Sequence, residues 1–123
     1  MKIFFDGGCH PNPGTIDVAV VLRGQSHIRT TIATGDNNDA EWRALLFALE
    51  LALAAGLDDV RFVGDSKLVI DQAAGRLPCR SAHLRDFCDE FRTRAAAIPR
   101  LRLTHVRRAQ NLAGIALDAA RWR

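Results

Sequence analysis

The sequence predicts an α/β protein with a five-stranded mixed sheet flanked by helices. Three short apolar or β-branched segments come first with short links between them, which favours three antiparallel strands. Ala- and Leu-rich helical segments then alternate with two more apolar segments, the pattern of parallel strands covered by helices. The 123 residues are 48% hydrophobic and 25% charged, which fits a single domain over residues 1–123 with its own core.

Each predicted strand is a short apolar or β-branched segment that ends at a turn signal. The first begins at Lys2 and is expected to end at Asp6, because two glycines and a proline-containing loop follow. A polar stretch with one glycine, residues 23–26, predicts a hairpin turn between the second and third strands. The predicted strands are residues 2–5, 18–22, 27–34, 60–63 and 101–106.

The helices are predicted from apolar periodicity and from residues that cap or stop a helix. Asn38 is the expected N-cap of the first helix, Gly56 ends it, and Pro99 stops the third. The predicted helices are residues 40–55, 67–74, 83–97 and 111–122. The resulting order is β-β-β-α-β-α-α-β-α.

Three acidic residues have positions that predict a metal site. Asp6 ends the first strand, Asp65 ends the fourth, and Glu41 lies in the first turn of the first helix. Functional groups of α/β sheets gather at the carboxyl ends of the strands, and converging carboxylates repel unless a cation lies between them. Mg²⁺ prefers such oxygen ligands. Structural alternatives are an Asp-Gly turn at Asp6, a capping box between Asn38 and Glu41, and an N-cap at Asp65.

Several motifs resemble those of one enzyme family. Asp6-Gly7-Gly8 followed by residues 12–14 resembles the opening motif of type-1 ribonuclease H. Residues 37–45 resemble the second motif with its catalytic Glu, and residues 64–69 resemble the third with its catalytic Asp. Residues 81–84 and 106–111 resemble the compact bacterial and archaeal branch, so the likeness covers nearly the whole chain.

The resemblance implies a ribonuclease H-like fold and an endonuclease that hydrolyses the RNA strand of RNA–DNA hybrids. Two Mg²⁺ ions, or Mn²⁺, would be held by Asp6, Glu41 and Asp65, with Asp6 bridging the ions. The implied substrate-binding residues are Gly7, Gly8, Asn12, Asn38, Ser66, Arg108 and Asn111. Turn, cap and surface roles are the alternatives for the asparagines and for Arg108. A non-catalytic or weakly active nucleic-acid-binding domain of the same fold is the alternative function.

The last helix departs from the family pattern. The family has a fourth catalytic carboxylate four residues after the asparagine that corresponds to Asn111, and this chain has Ile115 there. Ile115 is expected to join an apolar stripe with Leu112, Ala116 and Ala119. Asp118 lies within about 20° of Asn111 around the helix and is the candidate replacement as catalytic residue and metal ligand. A surface ion pair between Asp118 and Arg121 is the alternative.

Composition and the remaining motifs narrow the function classes. The net charge of +3 favours a polyanionic partner, and arginines concentrate in the last quarter of the chain. No segment is apolar enough for a secretory signal or a membrane span, and three cysteines without framework spacing predict reduced thiols in the cytoplasm. A zinc site is not expected, because the cysteines and histidines have no tight ligand spacing. Trp42 is expected in the core, and His105 is read as a strand residue.

Overall fold

The computed structural model describes residues 1–121 and confirms the predicted order of strands and helices. The strands are β1 (Lys2–His10), β2 (Gly14–Leu22), β3 (Gln25–Gly35), β4 (Asp59–Gly64) and β5 (Arg100–His105). The helices are α1 (Asn37–Ala54), α2 (Lys67–Ala73), α3 (Ala82–Ala95) and α4 (Leu112–Arg121). A short 3-10 turn, Arg108–Gln110, precedes α4. The expected end of the last helix at Trp122 lies outside the described residues.

The sheet is mixed, as predicted, with the strand order β3-β2-β1-β4-β5. β1 pairs antiparallel with β2 and parallel with β4, and β4 pairs parallel with β5. α1, α2 and α3 pack against one face of the sheet through the larger core cluster, while α4 packs against the other face. The central strand β1 therefore lies between two layers of helices.

The prediction that the first strand ends at Asp6 is wrong. β1 continues to His10 because β2 pairs with it from Ile3 to His10, with Gly7 opposite Val18 and Gly8 opposite Asp17. β4, on the other side, pairs only with Lys2, Ile3 and Phe4. Asp6 therefore lies within β1 but beyond its last pair with β4. At this position β1 has β2 on one side and, among residues 1–121, no paired strand on the other.

The first helix begins earlier than predicted. Its N-cap is Asp36, whose side chain accepts a hydrogen bond from the Asp39 amide, and Asp39 completes a capping box by accepting from the Asp36 amide. Asn38, the predicted N-cap, therefore lies inside the helix. None of the helices in residues 1–121 combines the length and the apolar character that a membrane crossing requires.

Candidate active site

Three carboxylates converge beside β1, at the point where its pairing with β4 has ended. Asp6 comes from β1, Glu41 from the start of α1, and Asp65 directly follows β4. One oxygen of each side chain lies within 4.8 Å of the others. Asp6 is 1% exposed and Glu41 is 8% exposed, whereas Asp65 is partly open to solvent. The sequence predicted this convergence from the positions of the three acids.

Glu41 reaches the cluster because α1 contacts β1 through main-chain atoms. A Cβ built on Gly7 would lie 2.1 Å from the carbonyl oxygen of Ala40, so only glycine permits this contact. The Gly7 amide donates a hydrogen bond of 3.4 Å to Glu41 Oε1. The capping-box alternative for Glu41 is wrong, since Asp39 has that place. Gly7 is buried, so its missing side chain serves the helix contact rather than the substrate contact implied by the resemblance.

Asp65 is positioned by its neighbours and does not cap α2. The N-cap of α2 is Ser66, whose hydroxyl accepts a hydrogen bond from the Val69 amide at 3.3 Å. The N-cap alternative for Asp65 is therefore wrong, and Ser66, predicted to bind substrate, has a structural role as well. Asp65 Oδ2 accepts a 3.0 Å hydrogen bond from Asn111 Nδ2.

Asn111 is buried and cannot contact substrate with its side chain. Its exposure is 0%, and Nδ2 also donates to the Phe5 carbonyl at 2.9 Å. Its Oδ1 accepts from the Ala113 amide at 3.1 Å, which stabilises the first turn of α4. The substrate-binding role expected for Asn111 is corrected to a role in joining β1, Asp65 and α4.

The electrostatics of the cluster favour a bound cation. Burial raises the pKa of Asp6, and the nearby charge of Asp65 raises it further. Burial raises the pKa of Glu41 well above its ordinary value, and its contact with Asp6 adds to the effect. Asp6 Oδ1 and Glu41 Oε2 are buried without a hydrogen-bond partner among residues 1–121. Buried, unpartnered carboxylate oxygens fit a hard divalent cation, so the residues present match a Mg²⁺-type site.

Arg108 extends across the edge of the cluster. Its Nη1 lies 3.6 Å from Asp6 Oδ2 and 3.6 Å from Asp65 Oδ2, and its Nη2 lies 3.2 Å from Asp118 Oδ1. Partial burial opposes the charge of the guanidinium, but the carboxylates of Asp6, Asp118 and Asp65 together raise the pKa of Arg108. The sequence predicted Arg108 as a substrate contact and gave no sign of these ion pairs.

The structure does not bring Asp118 into the carboxylate cluster. Asp118 is half-exposed and pairs with Arg108, not with Arg121 as the alternative interpretation proposed. Arg121 instead lies 3.6 Å from Asp17. The expectation that Ile115 is part of the core is wrong, because its exposure is 54%. α4 packs on β1 and β2 through Ala113, Gly114 and Leu117, which turns Ile115 toward solvent.

A cavity of about 290 Å³ extends from the cluster along β1, and three of its lining residues, Cys9, Asn37 and Arg121, were not predicted as site residues. It includes Gly8, Asn37 and Arg121. Asn37 Oδ1 accepts hydrogen bonds from the amide and thiol of Cys9, both at 3.3 Å. No sequence signal singled out Arg121, because ten residues after Asn111 it lies about 80° away around the helix.

The predicted substrate contacts at the loop lie beside this cavity. Asn12 Oδ1 accepts from the Asn37 amide at 3.2 Å, so Asn12 links the loop after β1 to the start of α1. Asn38 is exposed in the first turn of α1. Their contacts with a substrate remain predictions.

The minor predictions have clear outcomes. Trp42 is fully buried, donates to Gln72 Oε1 at 3.0 Å and packs against Phe91, as expected for a core residue. His105 ends β5, with Nε2 3.2 Å from the Asp65 carbonyl oxygen. Within residues 1–121 the metal-compatible group is the carboxylate cluster.

Comparisons with known proteins agree with this geometry. A family model described as Reverse transcriptase-like matches residues 4–120. The crystal structure of RNase H1 from Halobacterium salinarum superposes with a TM-score of 0.85 at 34% identity, covering 94% of this chain and 92% of that one. A structure of LC11-RNase H1 in complex with an RNA/DNA hybrid has a TM-score of 0.82 at 27% identity, covering 97% of each chain.

Two curated relatives are longer than this chain. Ribonuclease HI of Halobacterium salinarum is 37% identical over 95% of this chain, which spans 64% of that protein. The "Bifunctional protein Rv2228c" of Mycobacterium tuberculosis is 31% identical over 94% of this chain, which spans 35% of that protein.

Proposed function

We propose that this chain, which belongs to the Reverse transcriptase-like family, hydrolyses the RNA strand of RNA–DNA hybrids. Within that family it belongs to the type-1 ribonucleases H. The observation that carries the proposal is the cluster of Asp6, Glu41 and Asp65, with two buried oxygens that lack protein partners among the described residues. A relative with the same fold is named as a complex with an RNA/DNA hybrid.

The cluster would hold divalent ions through its free carboxylate oxygens. We propose Mg²⁺ as the ion, with Mn²⁺ as a substitute, because both accept hard oxygen ligands. Bound metal of this kind activates water and stabilises the leaving 3′-oxygen. Asp6, Glu41 and Asp65 would hold the ions, since one oxygen of each lies within 4.8 Å of the others. Asn111 fixes the orientation of Asp65 through its 3.0 Å hydrogen bond.

The hybrid would lie along β1 and the start of α1. Gly8 has no side chain to hinder the approach of the substrate, and the exposed Asn12 and Asn38 would contact the 2′-hydroxyls of the RNA strand in the minor groove. Arg108 is 57% exposed at the rim of the cluster and would contact a phosphate. We also propose a cytoplasmic location, which rests on the three unpaired cysteines.

The second candidate is a weakly active hybrid-binding domain. It is favoured by one observation, the separation of Asp118 from the three-carboxylate cluster. Such a protein would bind hybrids with a strong salt dependence and cleave them slowly.

Cleavage of an end-labelled RNA–DNA hybrid separates the two candidates. With Mg²⁺ the wild-type protein should cut the RNA strand internally and leave the matching DNA duplex intact, and chelation should stop the reaction. Asp6→Asn should abolish cleavage. Asp59→Asn is the matched control, because Asp59 begins β4 at the end away from the cluster, and it should not abolish cleavage. Binding without cleavage in either metal would favour the second candidate, and full activity of Asp6→Asn would overturn the metal assignment.

A further inference from the structure

The guanidinium of Arg108 lies at the edge of the carboxylate cluster, close to two of the proposed metal ligands. Its Nη1 is equidistant, at 3.6 Å, from Oδ2 of Asp6 and Oδ2 of Asp65. Those atoms belong to two of the three carboxylates that form the metal-compatible group. A guanidinium at this place partly neutralises the repulsion between the two acids.

Two features of α4 make a niche for this guanidinium. Nη2 donates to both carboxylate oxygens of Asp118, at 3.2 and 3.5 Å, and this contact holds one end of the guanidinium. Gly114 leaves space on the protein side. A Cβ built there would lie 3.4 Å from Asp6 Oδ2 and 3.8 Å from Arg108 Nη1, so a longer side chain would meet both groups.

We propose that Arg108 is a built-in counter-cation that competes with a divalent ion for Asp6 and Asp65, and that Asp118 is the positioning residue that holds it. The inference rests on the proposed function, because it assumes that the carboxylate cluster is a metal site. It assigns Asp118 a different role from that of a replacement fourth ligand.

The competition follows from charge and from shared atoms. An ion bound by Asp6 and Asp65 would use oxygens that face Nη1, and like charges repel across such short distances. Arg108 would then give up its Nη1 contacts while Nη2 stays on Asp118. Because the side chain is 57% exposed, the guanidinium can make this small movement and remain at the rim, where a substrate phosphate would meet it.

Titration of Mn²⁺ into the substrate-free protein, followed by calorimetry, tests the competition without any cleavage. Arg108→Ala should bind Mn²⁺ about tenfold more tightly, the size expected when one neighbouring charge is removed. Arg107→Ala removes the same charge from the same loop and should change the affinity by less than about twofold, since its effect is screened. Arg108→Gln, which keeps much of the side chain, should behave like Arg108→Ala.

A double-mutant cycle decides the role of Asp118. Asp118→Ala alone should weaken Mn²⁺ binding, because the released guanidinium is free to settle fully on Asp6 and Asp65. In the Arg108→Ala background, Asp118→Ala should have an effect of less than about twofold, because coupling through the missing guanidinium is then absent. A large loss of affinity in that background would overturn the positioning role and identify Asp118 as a metal ligand.

The outcomes separate this inference from the proposed function. Unchanged Mn²⁺ affinity in Arg108→Ala and Arg108→Gln, with normal thermal unfolding, would overturn the competition alone. A wild-type protein that binds no Mn²⁺ would overturn the metal-dependent function as well. We expect both Arg108 variants to bind Mn²⁺ more tightly than the wild type, and Arg107→Ala to bind it with nearly unchanged affinity.

Discussion

Replacing Asn111 should cost more stability than any other polar substitution near the site. The side chain is fully buried and makes three hydrogen bonds, to the Phe5 carbonyl, Asp65 Oδ2 and the Ala113 amide. Asn111→Ala leaves all three partners without the group that they contact. Because β1, the residue after β4 and the start of α4 meet at this one amide, the loss affects folding and the position of Asp65 together.

The magnitude follows from the type of each bond. Leaving a buried backbone group unpaired costs about 1–3 kcal/mol, and a bond to a charged group contributes about 1.5–3 kcal/mol. Allowing for relaxation, we expect Asn111→Ala to lower the free energy of unfolding by about 4 kcal/mol. For a domain of this size, that corresponds to a fall in Tm of roughly 15 °C. Asn111→Asp should also destabilise at neutral pH, because it adds another carboxylate in contact with Asp65.

Urea unfolding measures this prediction, with Gln110→Ala as the control. Gln110 is the exposed neighbour and should change the free energy of unfolding by less than about 0.5 kcal/mol. The destabilisation by Asn111→Asp should shrink as the pH falls and the added carboxyl group becomes protonated. A loss below about 1 kcal/mol in Asn111→Ala would refute the reasoning, since it would mean that the three bonds are replaced by water at little cost.

Three further predictions concern the cluster and its rim. In metal-free protein, Asp6→Asn should raise Tm at pH 7. Burial raises the pKa of Asp6 above 3.8, so ionisation of this carboxyl group lowers the stability of the wild type as the pH rises past that value. A gain in Tm that persists at pH 3 would contradict this reasoning. Reversing Arg107 and Arg108 to Glu should raise KM and flatten the dependence of log affinity on log salt; an unchanged slope would show that the loop faces away from the hybrid. Ile115→Asp should leave the free energy of unfolding within about 0.5 kcal/mol of wild type, because the residue is exposed, and should leave the cleavage rate unchanged, because the side chain is turned toward solvent; a loss above about 1 kcal/mol in urea unfolding would contradict it.

The sequence was sufficient for the order of elements and for the three clustered acids. Both depend on local patterns: apolar periodicity, turn residues, and the position of an acid at the end of a strand or the start of a helix. The end of β1 could not be predicted, because pairing with β2 continues past two glycines that locally indicate a turn. Strand length there is set by the partner strand and not by the residues themselves.

The surroundings of the last helix were predicted less well, for a geometric reason. Helical periodicity gives the relative angles of side chains but not the rotation of the helix against the sheet. Ile115 and Leu112 were assigned to the core, yet both are about half exposed, because the buried face of α4 is centred on Ala113 and Leu117. The same rotation determines that Asp118 meets Arg108, a pairing between residues ten positions apart that sequence spacing does not indicate.

The main-chain contact between Gly7 and Ala40 limits how closely α1 can approach β1. Because backbone atoms meet there, the contact determines the separation of Asp6 and Glu41. Repacking of core side chains behind the helix would therefore leave that separation nearly unchanged. A side chain at residue 7 would act as a wedge. Its Cβ would meet the Ala40 oxygen at 2.1 Å, where real contacts end near 3.0 Å, and the helix would have to retreat by about 1 Å. Glu41 would move with it, so one methyl group would widen the carboxylate cluster and loosen the core at the same time.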